Sequence, residues 1–168
     1  MSIGKINIWK KNIKKMEFDN LNKLIENIGN TVKNEYQQKL KDGNHIASGK
    51  LYNSINYNIE ATDTGIKLYF VALDYYIYIE NGRAKGKMPP INEIRKWMVF
   101  KKIPDSGGTD YRIAKSIAKN GIKANPYLKN IKNKTIPTFK DDIEKALQLD
   151  IDIELQKIKD KHNDKHTS

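Results

Sequence analysis

The sequence predicts an α+β fold: a long N-terminal amphipathic helix packed on a small antiparallel sheet, with further helices in the C-terminal half. Three observations predict it. Apolar residues recur every three or four positions from Phe18 to Leu40. They then alternate with polar ones on both sides of a turn that ends at Gly65, and Pro, Gly and Thr cut the remainder into helix-length pieces.

The chain has 168 residues, enough for one domain that buries about 70% of its unfolded surface. Residues 1–15 read as an N-terminal arm. Ile6 and Ile8 suggest a brief strand, and Lys10, Lys11, Lys14 and Lys15 keep the next stretch solvated. Phe18, Leu21, Ile25, Ile28, Val32, Tyr36 and Leu40 then mark one helix over about 16–41, roughly 39 Å long, ended by Gly43. Asp19 early and Lys39 and Lys41 late follow the order that the helix dipole favours.

Ser48 is placed to cap a short helix carrying Leu51 and Ile55. A hairpin follows, with strands near 55–61 and 65–72. It is expected to be one-sided, with Tyr57, Ile59, Ile66, Leu68 and Phe70 under a helix. Residues 74–83 fit a strand by composition or a short helix ended by Gly82. The helix, which is preferred, would put Tyr75, Tyr78 and Ile79 on one side.

A basic loop from Arg83 leads to Pro90, which can open a helix with Ile91, Ile94, Trp97 and Met98 as its buried face. Thr109 is placed to cap the next helix, whose inner face would be Tyr111, Ala114, Ile117 and Ala118, closed by Gly121. Asn125-Pro126 starts another helix and Pro137 punctuates it. Beyond it, Phe139, Ile143, Leu147, Ile151, Leu155 and Ile158 match a helical face, yet residues 149–155 also alternate as a strand would. From His162 onward the tail is expected to be disordered.

Composition excludes several functions. There is no cysteine, which removes disulfides, thiolate metal sites and cysteine nucleophiles. No stretch reaches the ~20 apolar residues of a membrane span, and no apolar signal core precedes the first helix, so a cytoplasmic origin is expected. His45 reads as a solvated loop residue rather than a general base, and His162 with His166 as a weak metal pair at most. Asp141, Asp142 and Glu144 suit a helix N-terminus better than a metal cluster. Asp150, Asp152 and Glu154 would share a face only on a strand. Gly107-Gly108 lacks the Lys-Ser/Thr of a phosphate-binding loop, and no nucleophile elbow or zinc-binding helix motif occurs. No enzyme, cofactor or metal is expected.

The formal net charge is +11, but only Arg83, Arg95 and Arg112 among the 31 basic residues are arginines. Abundant Lys, Asn and Ile together are what A/T-rich codons produce. Arginine gives the bidentate contacts to phosphate and guanine that make nucleic-acid sites specific, so a lysine-dominated excess is weak evidence for base reading. The excess is concentrated: residues 101–140 carry 10 basic and 2 acidic groups, whereas 141–168 carry 5 and 8. A small protein using this lysine surface to bind nucleic acid without sequence preference is one functional reading.

Three short segments suggest another. Ser48-Gly49-Lys50-Leu51-Tyr52-Asn53-Ser54-Ile55 follows the long helix, Tyr75-Tyr76-Ile77-Tyr78-Ile79-Glu80-Asn81-Gly82-Arg83 follows the hairpin, and Asn125-Pro126-Tyr127-Leu128 precedes the last helix. This order resembles the tail-completion or head–tail joining (neck) proteins of tailed bacteriophages, the minor tail Z-like family. Its members carry a small-Gly-x-Leu-x-x-Ser-Ile segment, a Tyr-x-x-Tyr-x-Glu-x-Gly segment and a Pro-Phe-Leu segment.

The resemblance covers residues 16–148. The loop and helix at 83–110 stand as an insertion, and 149–168 as a charged C-terminal extension. Tyr127 replaces the usual Phe and Arg83 the common Thr. The resemblance implies a structural virion protein without enzymatic activity, assembled in the bacterial host cytoplasm. It would form a homo-oligomeric ring at the head–tail interface, in contact with portal or connector and tail proteins, and no membrane. Tyr75, Tyr76 and Tyr78 are then interface candidates, and Arg83, Lys85 and Lys87 a candidate docking loop. Lys115, Lys119, Lys123 and Lys129 would face either DNA in the channel or the acidic tail of a neighbour.

Overall fold

A computed structural model describes residues 18–62 and 65–164, so the expected N-terminal arm and His166 lie outside the described residues. The elements are α1 (Asp19–Asp42), α2 (Lys50–Ser54), β1 (Asn56–Thr62), β2 (Gly65–Val71), a 3-10 turn (Asp74–Tyr76) running into α3 (Ile77–Glu80), α4 (Ile91–Lys101), α5 (Thr109–Asn120), α6 (Tyr127–Thr138) and α7 (Lys140–Asp164). The fold is α+β, as the periodicities predict. The described residues form two compact units: residues 26–139, and residues 18–25 with 140–164.

In the larger unit, Val32, Tyr36 and Leu40 of α1 pack with Leu51, Ile55 and Ile131. The hairpin is antiparallel, with Tyr57 opposite Phe70, Ile59 opposite Leu68 and Ala61 opposite Ile66. Cross-strand partners share a face, so Tyr57, Ile59, Ile66, Leu68 and Phe70 form one side, and the exposure along β2 alternates accordingly, with Tyr69 and Val71 on the outer side. α1 lies on this sheet. Tyr57 Oη donates to the Glu26 carbonyl at 3.2 Å, and a Cβ at Gly29 would come within 2.6 Å of the Tyr57 ring. Glycine at 29 lets that ring meet the helix backbone.

A second cluster joins α4 and α5 through Ile94, Met98 and Ala114, with Ile91, Ile103, Ile113 and Ile117 around it. Here two faces differ from expectation. Trp97 and Tyr111 are exposed, while Asp110 is buried and pairs with Arg95 at 2.6 Å. That ion pair turns α5 so that Asp110, Ile113 and Ala114 face inward, which carries Tyr111 out. The Tyr111 amide, which donates to Asp110 at 2.6 Å, and then the Arg95 guanidinium hold its carboxyl below the usual range.

Caps also shift. The short helix α2 is preceded by Gly49 at φ +77 and α5 by Gly108 at φ +78, so neither Ser48 nor Thr109 occupies the capping position. Pro90 likewise stands just before α4 rather than at its first turn. A left-handed residue at the helix entry redirects the chain in a way that Ser and Thr seldom adopt. Ser48 Oγ still accepts the Lys50 amide at 3.4 Å.

In the smaller unit, α7 runs unbroken from Lys140 to Asp164. It therefore settles residues 149–155 as helix, includes His162, and passes through the expected boundary at 148. The helix separates the three carboxylates. Asp152 meets Gln148 and Glu154 meets Lys157. Asp150 is buried and accepts the amides of Asn20 (3.0 Å) and Leu21 (2.9 Å), with the Asn20 side chain at 2.8 Å. It thus satisfies first-turn donors of α1 from 130 residues away. On the expected apolar face of α7, Leu155 and Ile158 in the C-terminal half are exposed.

Burial pushes the Asp150 carboxyl up, but the N–H groups of Leu21 and Asn20 outweigh it and hold it below its ordinary value. A depressed folded-state pKa stabilises the fold above the unfolded pKa of about 3.9, and that stability is lost as pH falls through the folded value. Asp150→Asn is expected to flatten the acid limb of a urea-stability profile below about pH 4 while leaving its shape near pH 7 unchanged. An unaltered acid limb would remove Asp150 as its source.

Candidate interaction surface

The three motif segments converge in the larger unit. Ser54 Oγ donates to the Leu51 carbonyl (2.8 Å) and accepts the Leu73 amide (3.1 Å), tying α2 to the end of the hairpin. Glu80 is buried and accepts the Leu128 amide at 3.0 Å and the Lys129 amide at 3.5 Å, closing the N-terminus of α6. Gly82, at φ +68, sits where a Cβ would lie 2.3 Å from the Ile122 carbonyl oxygen. The hydroxyl that Tyr127 adds over Phe reaches His45 Nε2 at 3.2 Å.

Those contacts place the candidate residues. The segment 74–80 is helical, as preferred, but its inner side is Tyr76, Ile79 and Glu80. Tyr75 and Tyr78 point outward, the latter 53% exposed. A 3-10 turn advances each residue further around the axis than an α-turn, which moves Tyr76 rather than Tyr75 into the core. His45 is half-buried instead of solvated, and burial followed by the nearby Lys101 charge pushes its pKa down.

The loop after Gly82 is not a free appendage. Arg83 and Ile122 exchange both main-chain hydrogen bonds at 2.9 Å, the Gly86 amide donates to the Ala118 carbonyl at 2.7 Å, and the Asn125 amide donates to the Ile79 carbonyl at 2.7 Å. Residues 79–86 are thereby laced to 118–125. Gly121, at φ +73, permits the approach, since a Cβ there would lie 2.3 Å from the Arg83 oxygen. The Arg83 guanidinium donates to the Lys87 carbonyl at 2.8 Å, holding the loop rather than standing out from it.

Lys85 and Lys87 from the loop and Lys119 and Lys123 from the α5–α6 connection are all exposed on the resulting ledge. Lys115 lies one turn back on α5, above the Tyr111 ring at 6.0 Å. Lys129 is exposed on α6, outside the laced segments. The docking loop and most of the lysine block, separate in sequence, thus form one cationic surface. Among the described residues no carboxylate pairs with any of these lysines.

Other chemistry is sparse. Among the described residues no three His, Asp or Glu side chains stand together as a metal site, and no helix is long and apolar enough to cross a membrane. A cavity of about 50 Å³ lies between Tyr36, Phe70, Tyr76 and Leu128, room for water rather than a metabolite. The arrangement is an α+β fold with a charged ledge and an apolar flank. No family model, characterised protein or solved structure matches the chain.

Proposed function

We propose that this chain is a non-enzymatic structural subunit of a tailed-bacteriophage neck, assembling as a homo-oligomeric ring between portal and tail. The observation that carries this reading is the exposed apolar run at the end of the hairpin. Tyr69, Val71, Leu73, Tyr75, Ile77 and Tyr78 are each 38–53% exposed, beside a sheet with two strands and no third among the described residues. Such a patch and open edges are costly for a monomer and are covered in a closed assembly. The resemblance of the three motif segments to neck proteins, and their convergence on one another, also supports it.

Sedimentation velocity over a range of concentrations, with negative-stain microscopy of the protein alone and on portal particles, tests the reading. A closed ring or a concentration-dependent species is expected, and Tyr75→Ser with Tyr78→Ser should weaken it at unchanged far-UV circular dichroism. A monomer that stays monomeric at all concentrations and never decorates portals would overturn it. The unpaired ledge favours a second reading, a small monomeric protein that binds nucleic acid without sequence preference.

A further inference from the structure

We infer that the ledge formed by residues 83–87 and 115–123 is a docking surface for the phosphate backbone of duplex DNA, engaged without base reading. The inference stands on the ledge itself and holds for a ring subunit or a monomer alike.

Four features lead to it. First, the cations are gathered on a main-chain framework: the bonds Arg83–Ile122 and Gly86–Ala118 fix the backbones that carry Lys85, Lys87, Lys119 and Lys123. Less ordering entropy is then lost when an anion binds. Second, no Asp or Glu occurs in 81–92 or in 111–140, so the lysines repel one another with nothing in the chain segments beside them to neutralise them. A polyanion relieves that repulsion and releases counterions.

Third, the one arginine of the ledge is occupied with the Lys87 carbonyl. Its planar fork, the best reader of guanine, is thus turned to the loop, and the lysines are left to phosphate contacts that position but do not specify. Fourth, neither 81–92 nor 115–125 contains Phe, Tyr or Trp, and the Tyr111 ring at the margin of the ledge already carries the Lys115 ammonium at 6.0 Å. Single-strand binding relies on aromatic platforms for the bases, so the surface suits a duplex, whose bases stay stacked and whose charge lies outside.

The test uses the full chain and fluorescence anisotropy with two 20-base-pair duplexes of unrelated sequence. The logarithm of the association constant should fall against log salt with a slope of about −4, and the two duplexes should agree within about twofold. The ledge variant with Lys85, Lys87, Lys119 and Lys123 all changed to Gln should bind at least about 100-fold more weakly at 0.1 M salt, with most of the slope gone. A charge-matched control changes Lys39, Lys67, Lys132 and Lys134 to Gln and should stay within about threefold of the unmodified chain. Solvent-exposed substitutions of this kind leave folding intact, which circular dichroism checks. Three results would each overturn the inference: a ledge variant that binds normally, a control that loses as much as the ledge variant, or competition by poly-glutamate equal to that by DNA at the same charge concentration. The last would assign the ledge to an acidic protein partner.

Discussion

Gly82→Ala is expected to destabilise the larger unit by about 4 kcal/mol, a very large effect for one methyl group. Two costs add. The residue sits at φ +68, where a side chain costs about 1–2 kcal/mol in any protein. The added Cβ would also lie 2.3 Å from the Ile122 oxygen and 2.7 Å from the Ala124 nitrogen, both backbone atoms that cannot rotate aside. Relief requires separating the strands of chain joined by the Arg83–Ile122 pair, so the ledge should loosen along with the fold. Gly107→Ala supplies the control. It shares the positive φ, at +62, but has nothing within 4 Å, and should cost only about 1 kcal/mol. Urea midpoints for the two variants separate conformational strain from collision. Equal losses would show that the close approach at Gly82 is unimportant.

Glu80→Ala ranks second, at about 3 kcal/mol. The buried carboxylate meets two N-terminal amides of α6 and complements the positive end of its dipole. Truncation leaves both donors inside the protein without an acceptor, which is the expensive way to break a hydrogen bond. Burial, and then the charge of Glu80, pushes the Tyr36 phenol pKa upward, so the hydroxyl stays protonated beside the carboxylate. Tyr36 Oη is buried and makes no hydrogen bond of good geometry, its contact with the Glu80 carboxylate being a weak one that adds to the upward shift. Tyr36→Phe should therefore be nearly neutral, and Glu80→Gln, which keeps one acceptor and loses the charge, should fall between. Chemical denaturation of the three variants orders them. A Glu80→Ala loss no larger than that of Tyr36→Phe would mean that the cap contributes nothing.

Both predictions concern residues that the sequence marks only faintly. Gly82 reads as a helix stop, which it is, but its second role depends on Ile122, forty residues onward. Glu80 reads as one acidic residue in an aromatic segment, and Asp150 as one of three alternating carboxylates. Each caps a helix far away in the chain, and no spacing rule links a cap to a helix that it reaches through space. For Glu80 the signal available was its place in the Tyr-x-x-Tyr-x-Glu-x-Gly segment, which does not say which helix it caps, and nothing set Asp150 apart from Asp152 and Glu154.

The faces of α4 and α5 show the same limit at shorter range. Periodicity identifies a helix and the width of its apolar stripe. It does not choose between adjacent residues when an ion pair such as Arg95–Asp110 rotates the helix by one position. Residues 149–155 fitted two periods at once, and the turns on either side decided for helix because α7 continues through them.

By itself, then, the sequence determined what contiguous residues can determine: the amphipathic helix α1, the one-sided hairpin, the breaks at Gly82, Gly121 and Pro126, and the absence of thiol chemistry. These follow from side-chain period and backbone freedom, which act within a few residues. The tertiary structure alone decided which carboxylates cap which helices. It decided that Arg83 is a clamp, and that Lys85 and Lys87 share a surface with Lys119 and Lys123. The caps are side-chain carboxylates that reach amides about fifty or more residues away, and the shared lysine surface rests on main-chain hydrogen bonds between segments more than thirty residues apart, which carry no side-chain signature in the chain that makes them.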